Sequence, residues 1–191
     1  MNKLALITAA LLAALVTTPA MASAVPVGTL ITATASGAAT GLLGLDHGFA
    51  NVPGTATTAL IDNDLEFLTN DNTAMVDFFA DGSIQFYANT TDGRLPGNYT
   101  LSFSFAGLSD EITGFALTDL SQLLSGSIAP VVIDGHTISI SFTDLVFKDA
   151  FESFTGQLSL SPAATVPEPS SLALLALSLG LMVVRQRRGQ A

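Results

Sequence analysis

Apolar and polar residues alternate with a period of two in three stretches of the chain: Thr100-Leu101-Ser102-Phe103-Ser104-Phe105, Thr137-Ile138-Ser139-Ile140-Ser141-Phe142 and Gln157-Leu158-Ser159-Leu160-Ser161. Side chains along a strand point to opposite faces in turn, so each stretch predicts a strand with one buried face and one wet face. The wet positions are Ser and Thr rather than Lys and Glu. Two Asp-Gly pairs predict hairpins: Asp81-Gly82 between Met75–Ala80 and Ser83–Ala88, and Asp134-Gly135 between Val131–Ile133 and His136–Phe142. Asp-Gly suits a type I′ turn, in which both central residues need positive φ. Further strands are expected at Gly28–Ala35, Leu65–Leu68, Gly114–Thr118 and Val146–Phe147, with Phe151–Phe154 placed to pair or to cap the core. Asp119–Leu124 reads as one helical turn with Asp119 as its N-cap. About eight or nine short strands predict an all-β domain, an antiparallel β-sandwich or a jelly roll.

The pattern changes at both ends. Met1–Lys3 is a short positive stretch, and Leu4–Val16 is an apolar run of 13 residues ending before Pro19. Ala20-Met21-Ala22 and Ala22-Ser23-Ala24 both satisfy the small-x-small rule for signal-peptide cleavage. The run is short of the roughly 20 residues a membrane span needs, so residues 1–24 read as a secretory signal, cut after Ala24 or after Ala22. The exported domain is then 25–165. At the other end, Pro167 and Pro169 stiffen an extended segment and cannot donate to a ladder, so the fold must close before them. Ser170–Val184 follows, rich in Leu and Ala, about 22 Å long as a helix. Its apolar face is carried by Leu172, Leu174, Leu175, Leu177, Leu179, Leu181 and Val183. With local thinning and snorkelling, such a segment spans a membrane as a transmembrane helix, and Arg185, Arg187 and Arg188 hold its end in the cytoplasm.

Pro167-Glu168-Pro169, the apolar Leu172–Val184 and the basic Arg185–Arg188 together resemble a PEP-CTERM sorting signal, which here occupies residues 166–191. The resemblance is confined to that segment. It implies a substrate of exosortase, a transpeptidase-like membrane protease of Gram-negative bacteria that make extracellular polysaccharide. By the resemblance, the enzyme cleaves near Pro167-Glu168-Pro169, and the exported domain passes from the inner membrane to the cell surface or matrix.

Composition narrows the chemistry. The 191 residues include no Cys and no Trp, which removes a disulfide framework, a thiol nucleophile and any Cys-ligated metal. Between Val25 and Thr165, Arg94 and Lys148 face fifteen acids, a net charge of −13, so nucleic acid is not a partner. All twelve Phe fall between Phe49 and Phe154 and are assigned to the core, since a domain without Trp must fill its interior with Phe and aliphatic residues. Only Tyr87 and Tyr99 are left as stacking platforms for a sugar.

No catalytic motif emerges. His47 and His136 sit beside turns, and no strand-to-helix elbow of the G-x-S-x-G type accompanies them. The best ligand candidate is calcium: Asp62, Asp64 and Glu66 alternate along one segment and Asp71 follows, hard oxygen donors without the EF-hand spacing. Solvent exposure of one strand face explains the same alternation. No other cofactor is expected. The leading reading is a non-enzymatic surface or extracellular-matrix protein, associated with exopolysaccharide or biofilm. A calcium- or glycan-binding adhesion module is the alternative, and a hydrolase assembled from dispersed residues a third.

Overall fold

The computed structural model describes residues 24–162. The expected signal peptide, save Ala24, and the whole sorting segment lie outside them, and with these the two expected terminal helices. Among the described residues no helix is long and apolar enough to cross a membrane.

Eleven strands run through the described chain: β1 Leu30–Gly37, β2 Leu42–Gly44, β3 Thr57–Ala59, β4 Phe67–Thr69, β5 Ala74–Phe78, β6 Ser83–Ala88, β7 Arg94–Ala106, β8 Asp110–Asp119, β9 Leu123–Asp134, β10 Thr137–Phe147 and β11 Ser153–Pro162. They form two antiparallel sheets, one ordered β3-β1-β7-β10-β9 and the other β2-β4-β5-β6-β11-β8. A single core unites them: Phe103 and Ile140 of the first sheet belong to the same buried cluster as Phe78 and Phe86 of the second. The all-β, two-sheet expectation is thus met.

Alternation places the buried residues. Tyr99, Leu101, Phe103 and Phe105 on β7 are all at most 2% exposed, while Thr100, Ser102 and Ser104 between them face outward. β10 does the same with Ile138, Ile140 and Phe142. It then slips register at Asp144, a residue with φ 46°, and continues to Phe147, so the expected short strand Val146–Phe147 is the far end of β10. Nine Phe are buried. Phe151 corrects the expectation that all twelve are core: it sits in the loop before β11 with φ 60° and is 55% exposed. Phe49 and Phe79 are half-buried.

The acids explain the turns. Asp71, Asp81, Asp92, Asp119 and Asp134 each accept a hydrogen bond at Oδ1 from the backbone N–H two residues on. Such a carboxylate gives the turning backbone a local acceptor in place of a ladder partner. Both Asp-Gly hairpins form, but neither as type I′. Gly82 has φ +82° while Asp81 does not, and neither Asp134 nor Gly135 has positive φ. The helical turn expected at Asp119–Leu124 is instead a tight link between β8 and β9, because the Asp119 carboxylate closes on Ser121 N–H and Leu123 N–H bonds to Leu120 O. The short β2 and β3 have no signal in the sequence: three residues are too few to show a period.

Candidate functional site

The acidic segment follows β3. Asp64 N–H bonds to Ile61 O across a turn in which Asn63 takes φ 71°, a left-handed conformation that Asn tolerates. The chain then enters β4 through Glu66, which is 0% exposed. Its two carboxylate oxygens are both occupied. Oε1 accepts Ile61 N–H at 2.9 Å and Oε2 accepts Phe78 N–H at 2.7 Å, so one side chain ties the turn to β5. Burial pushes the Glu66 carboxyl up to about 8, against the pull of the two backbone donors and with a further push from Asp77.

Asp77 is the residue that sequence reading missed. Val76 and Phe78 fill the core, so Asp77 lies on the opposite face of β5, beside Glu66. Its Oδ1 is buried and without a hydrogen-bond partner. Burial raises its carboxyl above the ordinary range; a hydrogen bond with Glu66 opposes this, and the charges of Asp62 and Asp64 add to it. Alternation around Val76 and Phe78 signals the outward placement of Asp77. Nothing local signals that Glu66 would fold over it.

The four residues expected to bind calcium are not assembled. Glu66 spends its oxygens on amides, and Asp71 closes its own turn on Thr73 N–H and Thr73 Oγ1. Asp62 and Asp64 are exposed, and among the described residues no three acidic or histidine side chains are grouped to hold a metal. His136 Nε2 stands 3.3 Å from Leu108 O, and His47 lies beside Gly54. Arg94 borders a shallow cleft with Pro96, Asp144, Leu145 and Val146, in which Asp144 Oδ1 accepts Gly97 N–H at 2.7 Å. Tyr99 is buried, and Tyr87 is half-buried on β6.

A second feature is the outer face of the five-stranded sheet. Register aligns Thr32 with Ser104, Thr34 with Ser102 and Ser36 with Thr100 between β1 and β7. It continues with Ser104 opposite Thr137, Ser102 opposite Ser139 and Thr100 opposite Ser141 on β10. Thr57 of β3 extends the first row through Thr32, with Oγ1 atoms 2.9 Å apart. Strand geometry spaces such a grid at about 4.8 Å across and about 6.7 Å along the strands. None of these aligned positions carries a charge, in a domain rich in acids. Ser102 donates to Ser139 Oγ at 2.9 Å, and Thr100 meets Ser141 at the same distance, so neighbouring hydroxyls orient one another.

The last strand closes at Pro162, and a family model matches the segment that follows. Residues 165–188 match the model of the PEP-CTERM protein-sorting motif. The chain carries a PEP-CTERM sorting motif. That motif implies export, a membrane-anchored sorting signal and processing by exosortase, a membrane protein. Pro167, Glu168 and Pro169, the apolar Leu172–Val184 and Arg185, Arg187 and Arg188 all fall inside the matched residues. No curated protein and no solved structure matches this chain.

Proposed function

We propose that the chain is an exported, non-enzymatic surface or extracellular-matrix protein whose β domain is delivered through its PEP-CTERM tail. The observation that carries this reading is a juxtaposition. β11 ends at Pro162 and the sorting motif begins at residue 165, so cleavage within the motif leaves every strand of the core intact. The uncharged hydroxyl grid on the outer face of the five-stranded sheet supports association with a neutral polysaccharide of the matrix. Hydroxyls both donate and accept, as sugars require, and the acids that would repel an anionic polymer lie outside the grid.

Intact mass in the native host, compared across membrane, surface and medium fractions, tests delivery. A form starting near Ser23 or Val25 and ending near Pro167–Ser170 is expected at the surface or in the medium. A form that keeps Leu172–Arg188 in every fraction means a permanent anchor and overturns the reading. Cosedimentation with neutral and with acidic polysaccharide tests the face, and Ser102→Glu with Ser139→Glu is expected to abolish retention on the neutral polymer.

A further inference from the structure

We propose that Glu66 and Asp77 share one proton, and that this proton is a pH-sensitive latch holding the Leu60–Glu66 segment onto β5. The β4–β5 register sets Phe67 opposite Val76, which makes Glu66 and Asp77 the next pair along the ladder, on the face turned from the core. Glu66 is wholly enclosed, and its oxygens already receive Ile61 N–H and Phe78 N–H. Asp77 Oδ1 is buried with no donor. A buried acceptor left unmatched is costly, and two ionised carboxylates side by side repel. A single carboxyl proton removes both penalties, since a protonated acid donates to its ionised neighbour.

Among the described residues no cation competes for that role. Asp62 and Asp64 on the preceding turn face Asp77, and both are acids. On β6, Gln85 stands opposite Asp77 and gives its Nε2 donor to Ser153 Oγ, while the Tyr87 phenol is held above its ordinary range by burial and by Asp77. Asp46, in the turn beside β4, is directed at Ala59 N–H. The basic side chains of the described domain sit elsewhere, Lys148 near Asp119 and Arg94 beside Asp144.

The direction of the pH effect follows. The folded pair keeps its proton up to about 8, whereas Glu66 in the unfolded chain releases it near 4.5. Between these values the folded state binds more protons, so stability falls as pH rises and levels off above about 8. Backbone bonds anchor Leu60 to Gly28 and Thr29 and Glu66 to Leu45, while the turn between them is held by Glu66 and by Asp62, which accepts Ala80 N–H just past β5 at 3.5 Å, so that turn is the part that loosens.

The test uses the full chain in mild detergent. Infrared spectroscopy of the wild type at pH 6 to 7 is expected to show a protonated carboxylic-acid band that titrates out by pH 9. Over the same range the unfolding temperature falls by several degrees, and the Ile61 and Phe78 amides lose protection from exchange beyond the intrinsic rise. Asp77→Asn supplies a permanent donor and removes the neighbouring charge, so the band titrates out at lower pH than in the wild type and the unfolding temperature at pH 9 rises above wild type. A wild type with no such band, or with an unfolding temperature flat from pH 5 to 9, overturns the proposal even if the variant fails to fold.

Discussion

Phe78 of β5 and Phe103 of β7 meet edge to face between the two sheets, ring centroids 5.0 Å apart and planes at 73°. Phe103 also lies 5.8 Å from Phe67 and 6.4 Å from Phe86, so it is the ring on which both sheets close. Phe103→Ala is therefore expected to cost about 3–5 kcal/mol in urea unfolding. Ser104→Ala, on the wet side of the same strand, should stay within about 0.5 kcal/mol. Ser102→Ala loses only its bond to Ser139, about 1 kcal/mol or less. Equal losses at all three positions would contradict the facing of β7.

Gly37 ends β1 with φ +93°, and a Cβ there would run into the Asn98 carbonyl, which also receives Ala38 N–H at 2.7 Å. Gly37→Ala combines left-handed strain of about 1–2 kcal/mol with a backbone clash that cannot relax by a rotamer change. Gly48 has φ +60° but open space around it. Gly48→Ala should show the strain alone, and a thermal melt that ranks the two equally would argue against the clash.

Hydrogen bonds from Ser83 Oγ and N–H hold the Asp81 carboxyl below its usual range, and His136 N–H does the same for Asp134. A depressed carboxylate contributes stability that is present above the ordinary value of 3.8 and is lost as pH falls through the folded value. Asp81→Ala is expected to melt below wild type at pH 6, and the gap should close toward pH 2. This acid-side effect is separate from the Glu66–Asp77 window, which lies on the alkaline side of 4.5.

Calcium in the millimolar range is expected to leave the unfolding temperature unchanged, because Glu66 gives its oxygens to amides and Asp71 closes its own turn. A rise with calcium that Glu66→Gln removes would contradict this and place calcium on this segment.

Much of the fold was legible because its signals are local. The alternation in Thr100–Phe105 and Thr137–Phe142 named the buried side of β7 and β10, and Asp81 and Asp134 announced hairpins. The turn types were not legible: a single carboxylate hydrogen bond selects among backbone conformations of similar energy. Phe151 misled because loop aromatics and core aromatics look alike in a composition. The acidic segment misled for a related reason. The alternation of Asp62, Asp64 and Glu66 read as one exposed face, yet the turn at Asn63 rotates Glu66 inward while the two Asp stay in solvent.

By itself the sequence determined the sorting motif and the period of the strands. A sorting tail is a linear code of prolines, apolar residues and arginines, recognised at residues 165–188 with no need of a fold, and a two-residue period is a property of neighbours. The tertiary structure alone decided which amphipathic strands became partners. Many Ser/Thr-and-apolar strands compete for the same sites, and only closure of the common core selects among them. That selection lines up Thr34, Ser102 and Ser139 from three distant stretches, and it presses Glu66 against Asp77 under a turn that no local pattern announces.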